Sequence, residues 1–447
     1  MSRSKSSALL LVFAYLLIFQ ARASWAAAPV AAKDRTVILI SLDGFPAYDL
    51  EDPKLPIPTL RELMRNGSWA KSMQPINPTW TWPNHTTMVT GVDARKHGVL
   101  YNGLLRRQDD PLTVKVDPTA PKVEMVHAPT VYDLAQQSGL TTAQVDWVAI
   151  NDAPTISWAF PEKATPSAPL VKEMVGKGLL TLEDISNDGH PSIVWRDQIW
   201  TRAGSYLIKE HKPNLLLFHL LTLDSTHHTY APKTLASYDA IAFLDSCIRE
   251  LIEATKTAGI FDRTTFLVVS DHGFRRVEKQ IWLRNVLNGA HIGPEVQVIP
   301  EGGSGMIYVS SGRRKELIEK VAATLAETEG VARVVKESDF SALGYPLPSS
   351  NRQMPDLVVL AKPGYGIAGE RKGAGPAVAA TESPVGAHGY LNTDPEMQAI
   401  FVASGYGIKK GQRLEPLRNT KVAPTIADLL GLKLPDGESP ISEALQQ

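Results

Sequence analysis

Cysteine is almost absent from this chain of 447 residues, in which Cys247 is the only one. A single thiol excludes an intramolecular disulfide. Cys247 lies in the helical pattern YDAIAFLDSCIRELIEA, where a buried, small apolar role is expected. For an exported protein of this size, the lack of disulfides points to a bacterial envelope more than to a eukaryotic secretory route.

An excess of charge of either sign is also missing, because 46 Lys and Arg residues face 47 Asp and Glu residues, for a formal net charge of -1. A protein whose main partner is bulk nucleic acid usually carries a basic excess, so this balance argues against that class. Two enzyme signatures fail as well. The segment GGSGM departs by one residue from the Gly-x-Ser-x-Gly elbow, and no Gly-Lys-Ser/Thr of a Walker-type loop occurs.

Long hydrophobic runs are confined to the N-terminus, and no later segment approaches the length of a membrane span. Two basic residues precede an apolar run over residues 8–19, and small residues follow it up to Ala28. This order predicts a secretory signal peptide over residues 1–28, cleaved between Ala23 and Ala28. An uncleaved anchor is the alternative, but it needs a longer apolar span. We therefore expect a soluble mature protein that is exported, either periplasmic or secreted.

What the chain does contain is a regular alternation of short apolar runs and helical patterns. The continuous β-rich runs predict buried strands of a mainly parallel sheet, at residues 36–42, 214–221, 264–270 and 399–404. The clearest helical patterns each end at a glycine, and they cover 58–66 before Gly67, 130–138 before Gly139, and 235–258 before Gly259. This alternation predicts an α/β fold with a doubly wound, mainly parallel sheet flanked by helices.

Residues 280–366 have a different order of elements. The segment EGGSGMIYVSSG predicts a strand, RRKELIEKVAATLAETEG predicts a helix, and GVARVVKESDF and PDLVVLAKPG predict two more strands. We therefore expect a small inserted α+β subdomain over 280–366, within a catalytic domain made of residues 33–279 and 367–447.

Aspartate and histidine residues at the ends of the apolar runs are the strongest functional signal in the chain. The residues are Asp43, Asp224, His228, Asp271, His272 and His388. In open α/β sheets, ligands bind at the carboxyl ends of the strands, so one fold can bring these side chains to one edge. A lone Asp after a strand is usually a cap or turn residue, but three of them, two with histidine companions, favour two divalent cations, zinc above all. His227 competes with His228, and Gly273 predicts the turn that Asp271 and His272 need.

A hydroxyl group lies between the first and second of these segments, on Thr81 in NPTWTWPNHTT. At a helix N-terminus this hydroxyl can be a cap, but the same place favours a bound phosphate, and nearby cations would make the hydroxyl a nucleophile. Trp80 and Trp82 flank Thr81. We expect them to contact a base, an aryl group or a choline-like cation of the substrate, with packing in the core as the alternative.

The segments TWPNHTTMVTG, HGVLYN, LTLDSTHH, VVSDHGF and GAHGY together resemble the nucleotide pyrophosphatase/phosphodiesterase family of the alkaline phosphatase superfamily. The resemblance extends from about Thr36 to Leu432. It implies an alkaline phosphatase-like fold and a metal-dependent phosphodiesterase or nucleotide pyrophosphatase that acts on a small-molecule phosphodiester or nucleotide. Trp80 departs from the lysine that many members have before the nucleophile. The family's aromatic and glycine motif is not visible in AQVDWVAINDAP, so the sequence assigns no nucleoside pocket.

The same resemblance implies a role for each site residue. Thr81 would be the nucleophile and would form a covalent phospho-threonine, which water then hydrolyses from the opposite side. Asn102 would donate to a non-bridging phosphate oxygen, together with the backbone N–H of Thr81 or its neighbour. Of the remaining histidines, His85 would be closest to a supporting role. The two zinc sites would consist of Asp224, His228 and His388, and of Asp43, Asp271, His272 and Thr81.

Several other functions share part of this pattern. A phosphomonoesterase of the same superfamily is the nearest alternative, since Arg106 or Arg107 could bind the extra phosphate charge, and a phosphonate hydrolase would use the same metal site. The Cys/Ser-x-Pro-x-Arg signature of sulfatases is absent, and a cofactor-independent phosphoglycerate mutase would not be exported. A non-catalytic periplasmic zinc-binding protein is the alternative from another class, but all seven expected metal-site side chains are present. The pattern leaves the oligomeric state open.

Overall fold

The computed structural model describes residues 30–186, 192–373 and 375–446. The predicted signal peptide, residues 1–28, lies outside these ranges. Among the helices within them, none combines the length and the apolar character needed to cross a membrane.

The secondary structure alternates along the chain between strands and helices. The strands are β1 Thr36–Leu42, β2 Gly67–Ala70, β3 Met73–Gln74, β4 Leu104–Asp109, β5 Leu112–Asp117, β6 Thr142–Val145, β7 Trp158–Phe160, β8 Leu215–Leu220, β9 Thr264–Val269, β10 Arg275–Trp282, β11 Val296–Glu301, β12 Ser304–Val309, β13 Val331–Lys336, β14 Leu357–Ala361, β15 Gly364–Ala368, β16 Val378–Ala387, β17 Phe401–Gly405, β18 Gln412–Leu414 and β19 Leu417–Arg418. The α-helices are α1 Pro58–Arg65, α2 Thr81–Thr90, α3 Ala94–His97, α4 Lys122–Met125, α5 Val131–Gln137, α6 Pro169–Gly176, α7 Leu182–Ser186, α8 Ile193–Tyr206, α9 Thr222–Tyr230, α10 Leu235–Thr257, α11 Leu283–Gly289, α12 Arg314–Ala326, α13 Glu337–Phe340 and α14 Val422–Leu429.

A central eight-stranded sheet organises the molecule, in the order β18-β2-β17-β9-β1-β8-β6-β7. The five strands from β9 to β7 are parallel, and Ile40 of β1 aligns with Phe218 of β8 and Val268 of β9. Every residue of β1, β8 and β9 is buried, as expected for parallel strands covered on both faces. The predicted α/β fold with a mainly parallel sheet is confirmed.

The predicted strand at 399–404 is β17, and it runs antiparallel to both β9 and β2. A parallel neighbour requires a crossover connection of a dozen or more residues, usually a helix. Phe401, at the start of β17, pairs with Val269 at the end of β9, so the chain enters β17 from the edge at which β9 ends and makes no crossover to the other edge.

Helices cover both faces of the sheet, and the side chains of β1 alternate between the two cores. Ile38 and Ile40 pack in a core that includes side chains of α1, α8 and α10, whereas Val37 and Leu39 face α2, α5 and α14. Cys247 of α10 is a buried free thiol in the first of these cores, as predicted.

Two of the three predicted helix ends have the expected glycine conformation, and the third does not. Gly139 and Gly259 have φ values of 79° and 68°, in the left-handed region that favours glycine. Gly67 instead opens β2, and a Cβ there would lie 2.0 Å from the carbonyl oxygen of Ala403 on β17. Glycine is therefore needed at 67 for the close approach of two strands, and the prediction that it serves as a helix stop is wrong.

Two smaller sheets lie in the second half of the chain. One is antiparallel, in the order β11-β12-β14-β13, and α12 packs on it. The other has the order β15-β10-β16. The predicted insertion, residues 280–366, contains the whole first sheet, but its two limits fall inside β10 and β15, which pair with each other. The subdomain boundaries therefore stay a prediction.

Candidate active site

The predicted metal-site side chains converge at the carboxyl edge of the central sheet. Asp43 directly follows β1, Asp271 lies two residues after β9, and Asp224 lies in the first turn of α9, which begins soon after β8. The backbone N–H of Asp43 donates to the carbonyl oxygen of Leu220 at 3.0 Å, which holds the ends of β1 and β8 together. His388 reaches the same edge from the segment that follows β16.

The first group of candidate ligands consists of Asp43, Asp271 and His272, all fully buried. The Nε2 of His272 lies 3.5 Å from Oδ1 of Asp43 and 3.2 Å from Oδ2 of Asp271. The other carboxylate oxygen of Asp271 accepts a hydrogen bond from the backbone N–H of Gly44 at 3.2 Å. One oxygen of Asp271 is thus held by the chain, while the other faces the group.

The second group surrounds Asp224. Its Oδ1 lies 3.5 Å from Nε2 of His228, one turn later on α9, and 3.9 Å from Nε2 of His388. Ligand atoms of Asp224, His272 and His388 lie within 4.8 Å of one another, and His228 is outside this set. The His272 ring also stacks on His388, with 3.8 Å between centroids. The competing His227 points elsewhere, with its Nε2 2.7 Å from Oγ of Ser237. Of the two adjacent histidines, His228 is the one that faces Asp224.

The chemistry of these atoms fits divalent cations. Oδ1 of Asp43, Oδ1 of Asp224, Oδ2 of Asp271 and Nε2 of His272 are buried, and they find no hydrogen-bond partner among the described residues. Burial and the neighbouring Asp271 raise the pKa of Asp43 well above its ordinary value. Burial lowers the pKa of His272 to about 3 and that of His388 well below its usual range, so both imidazoles are neutral and able to bind a metal. Unpaired buried carboxylates beside neutral imidazoles are what a cation would satisfy.

Gly273 shapes this site by its lack of a side chain. A Cβ at this position would lie 2.1 Å from the carbonyl oxygen of Glu396. Its N–H donates to the carbonyl oxygen of Met397 at 2.9 Å. The prediction that glycine is needed here for a special turn is wrong, because Gly273 is not among the positive-φ residues of the described chain. It is needed because the segment after β9 packs directly against the backbone at 396–397.

Thr81 is the first residue of α2, and the N-cap position belongs to Trp80. The simpler interpretation of the Thr81 hydroxyl, as the cap of this helix, is therefore wrong. The carbonyl oxygen of Thr81 lies 2.9 Å from Nδ1 of His85, and the same nitrogen is 3.6 Å from Oδ2 of Asp271. One imidazole thus spans the space between the start of α2 and the first ligand group.

Asn102 also faces the N-terminus of α2. Its Oδ1 accepts a hydrogen bond from the backbone N–H of Trp82 at 3.0 Å. Because the oxygen is the acceptor, the amide NH2 of Asn102 is directed away from this bond. The N–H of the residue after Thr81 therefore positions Asn102 in this structure.

The two tryptophans beside Thr81 have different surroundings. Trp80 is 1% exposed and packs in a core cluster, with its ring edge-on to Tyr101 at 5.1 Å. This burial corrects the expectation of a substrate-binding surface at Trp80, since the indole packs in the core. Trp82 is only partly buried, against a small cluster that includes Val99 and Met125. A substrate contact by Trp82 stays a prediction.

Two residues near the site, His219 and Glu301, are not singled out by the sequence. His219 lies inside β8, and its Nε2 is 2.9 Å from Oδ2 of Asp43, while its Nδ1 is 3.0 Å from the carbonyl oxygen of Asp146. Burial disfavours protonation of His219, but hydrogen bonds to Asp146 and Asp43 outweigh it and raise its pKa well above the ordinary value. Glu301, at the end of β11, has its Oε1 3.9 Å from Nε2 of His388. A polar residue inside an apolar strand, or at its end, was the only available signal.

Arg106 and Arg107, the predicted binders of extra phosphate charge, are both paired with carboxylates. Nε of Arg106 donates to Asp117 at 2.8 Å. Arg107 is largely buried, with Nε 2.7 Å from Oδ1 of Asp109 and Nη2 3.2 Å from Oδ2 of Asp356. Both guanidinium groups therefore form ion pairs within the β4–β5 hairpin and with residues next to it.

Comparisons with known proteins agree with this geometry. The sequence model of the family described as type I phosphodiesterase / nucleotide pyrophosphatase matches residues 37–391. Human ectonucleotide pyrophosphatase/phosphodiesterase family member 7 is 25% identical over 416 residues, which cover 91% of this chain and 82% of the relative. An uncharacterized pyrophosphatase/phosphodiesterase of Schizosaccharomyces pombe is 26% identical over 422 residues, 89% of this chain and 77% of the relative.

Solved structures show the same fold. Human ectonucleotide pyrophosphatase / phosphodiesterase 5 superposes with a TM-score of 0.72 at 20% identity, covering 92% of this chain and all of that one. An inactive variant of the murine protein, solved in complex with AMP, gives a TM-score of 0.71 at 21% identity over the same shares. The alkaline phosphatase-like architecture expected from the sequence is confirmed.

Proposed function

Because the chain belongs to the type I phosphodiesterase/nucleotide pyrophosphatase family, we propose that it is an exported two-zinc hydrolase of phosphate diesters, with Thr81 as the nucleophile. The observation that carries this proposal is the set of unpaired carboxylate oxygens and neutral imidazoles next to the start of α2. His85 connects the two, since one of its nitrogens lies close to both Thr81 and Asp271.

The residues present fit two cations. Asp43, Asp271 and His272 would hold one ion, and Asp224, His228 and His388 would hold the other, with His272 between the two groups. Bound divalent cations at such sites lower the pKa of a hydroxyl and neutralise charge on phosphoryl oxygens. Zinc is the best match for this mixture of carboxylate and imidazole ligands.

The chain's own groups would bind and orient the phosphoryl group. The Thr81 hydroxyl loses its proton to water as its oxygen attacks phosphorus in line. A new O–P bond forms, and the bond to the leaving oxygen, which takes up a proton from water as needed, breaks. The amide NH2 of Asn102, held by the Trp82 N–H, donates to a non-bridging oxygen. The N-terminus of α2 adds its dipole to the stabilisation of this charge. Water then cleaves the phospho-threonine from the opposite side and restores the Thr81 hydroxyl.

A diester is favoured over a monoester because of where the cationic side chains lie. A monoester carries more negative charge on the phosphoryl group, and Arg106 and Arg107 are already paired with carboxylates. Nucleotides are the first substrates to examine, since a related murine protein was solved in complex with AMP.

Export, to the periplasm or the medium, is part of the same proposal and rests on the predicted signal peptide.

The test compares kcat/KM of the zinc-loaded protein on bis-p-nitrophenyl phosphate and on p-nitrophenyl phosphate. We expect the diester to be preferred, and Thr81→Ala to lower turnover at least about 10³-fold while metal content is unchanged. Thr90→Ala, at the far end of α2, is the matched control and should retain activity. Full activity of Thr81→Ala would contradict the covalent mechanism, and a preference for the monoester would contradict the diester assignment.

A further inference from the structure

The β11–β12 hairpin brings a carboxylate into the candidate active site. Glu301 is the last residue of β11, and Gly302 and Gly303 form the tip of the hairpin. The N–H of Gly303 donates to the carbonyl oxygen of His388 at 2.7 Å. A Cβ at Gly303 would lie 2.4 Å from the ring of Tyr390, so the tip packs closely on the segment that carries His388. The backbone therefore fixes the position of Glu301 relative to this histidine.

The Glu301 side chain faces the edge of His388 that belongs to the site. His388 uses Nδ1 to bond the carbonyl oxygen of Thr79 at 3.0 Å, so its Nε2 is the nitrogen directed at Asp224. Oε1 of Glu301 lies 3.9 Å from the same Nε2. The Tyr101 hydroxyl donates to the carbonyl oxygen of the preceding residue, Pro300, at 3.3 Å. The side chain retains 20% exposure, so it lies on the approach to the site.

Glu301 belongs to neither ligand group, and the proposed mechanism does not use it. Its location nevertheless indicates which side of the transferred phosphoryl group it faces. In the proposed function Thr81 is assigned to the ion held by Asp43, Asp271 and His272. Glu301 lies beside His388 of the other ligand group. An in-line displacement expels the leaving group on the side opposite the nucleophile. Glu301 is therefore placed to meet the leaving group.

We propose that Glu301 determines leaving-group specificity, so that the enzyme disfavours leaving groups that carry negative charge and favours neutral or hydrogen-bond-donating ones. This inference rests on the proposed function. A carboxylate beside an anionic leaving group repels it at short range, and the repulsion is stronger in a partly buried site than in water. We therefore expect kcat/KM to be highest for aryl or alkyl phosphodiesters and much lower for nucleoside triphosphates, which expel pyrophosphate.

Two substrates that transfer the same group isolate this effect. The p-nitrophenyl ester of thymidine 5′-monophosphate expels nitrophenol, whereas thymidine triphosphate expels pyrophosphate, and both donate thymidine monophosphate. Glu301→Gln removes the charge and keeps the shape of the side chain. We expect it to raise kcat/KM for the triphosphate about tenfold and to change that for the aryl ester less than about twofold. Glu301→Asp, which keeps the charge, should retain the original preference.

Glu295→Gln is the matched control, because Glu295 is a partly exposed partner of Arg313 and directly precedes the same strand. It should leave both values unchanged. If Glu301→Gln changes kcat/KM for both substrates by the same factor, Glu301 is structural and the inference is wrong. If the unaltered protein hydrolyses neither substrate while binding zinc, the proposed function itself fails. Activity that depends on Thr81 with an unchanged substrate ratio would reject only the role of Glu301.

Discussion

His219 should control how tightly the first ligand group binds a metal ion. Its Nε2 lies 2.9 Å from Oδ2 of Asp43, and its Nδ1 lies 3.0 Å from the carbonyl oxygen of Asp146 and 3.1 Å from the carboxylate of the same residue. A carbonyl oxygen only accepts, so Nδ1 carries a proton, and Nε2 donates to the carboxylate. His219 is thus a buried donor between two buried carboxylates, and it fixes one oxygen of Asp43.

The informative variant is His219→Phe, which keeps a ring of similar size against His85 and removes both hydrogen bonds. Loss of one partner from a buried ionic contact costs about 3–5 kcal/mol of unfolding free energy. Loss of a residue that orients a metal ligand lowers metal affinity about 10- to 100-fold. We therefore expect both effects together, with the loss of affinity largest for the ion held by Asp43.

Zinc affinity is measured by competition with a chromophoric chelator, and stability by urea unfolding of the metal-free protein. His211→Gln is the matched control, because His211 also contacts a carboxylate, Glu173 at 3.1 Å, but is partly exposed and belongs to neither ligand group. It should change zinc affinity less than about twofold. A His219→Phe variant with unaltered zinc affinity would refute the reasoning, even if its stability fell, because His219 would then be only a core residue.

Two further predictions concern the surroundings of the site. Burial raises the pKa of Asp49 to about 7. The unfolded chain ionises this group from about pH 4, so the unaltered protein loses unfolding free energy as pH rises from about 4 to 7. Asp49→Asn lacks this loss, and urea unfolding should show its stability exceeding that of the unaltered protein by up to about 4 kcal/mol at the upper end of that window. A difference that does not vary with pH would contradict this assignment. Gly273→Ala places a methyl group 2.1 Å from the Glu396 carbonyl oxygen and should lower both the melting temperature and zinc content, whereas Gly289→Ala, with open space around it, should change neither. Normal zinc binding by Gly273→Ala would show that the ligands tolerate a backbone shift.

The parts of the fold that the sequence predicts well are those encoded locally. The strand predicted at 36–42 has the same limits as β1, because an unbroken apolar run is followed by Asp43 and Gly44. The same logic located Asp271 after β9. Since parallel strands in such a sheet end at one edge, the convergence of these carboxylates followed from strand order alone. Local signals therefore predict that Asp43, Asp224 and Asp271 share one edge, whereas the choice of His228 and the division into two metal sites rest on the family resemblance.

Residues that depend on distant partners could not be found in the same way. His219 looks like an ordinary buried residue of a strand, because its partners Asp43 and Asp146 are 176 and 73 positions away in the chain. Gly67 and Gly273 depart from the prediction for a related reason. The local pattern suggests a turn or a helix stop, whereas the requirement comes from a backbone segment that only the tertiary fold brings close.

The candidate metal ligands and the proposed specificity residue come from different parts of this fold. The candidate ligands come mainly from the ends of β1, β8 and β9, which are central strands buried on both faces and hard to alter without loss of the core. Glu301 comes from a hairpin of a separate antiparallel sheet, and the tip of that hairpin contacts the segment that carries His388. A change in that hairpin can alter the charge next to the leaving group while the metal ligands stay in place. Relatives with the same ligand residues should therefore differ in substrate preference chiefly where this hairpin differs.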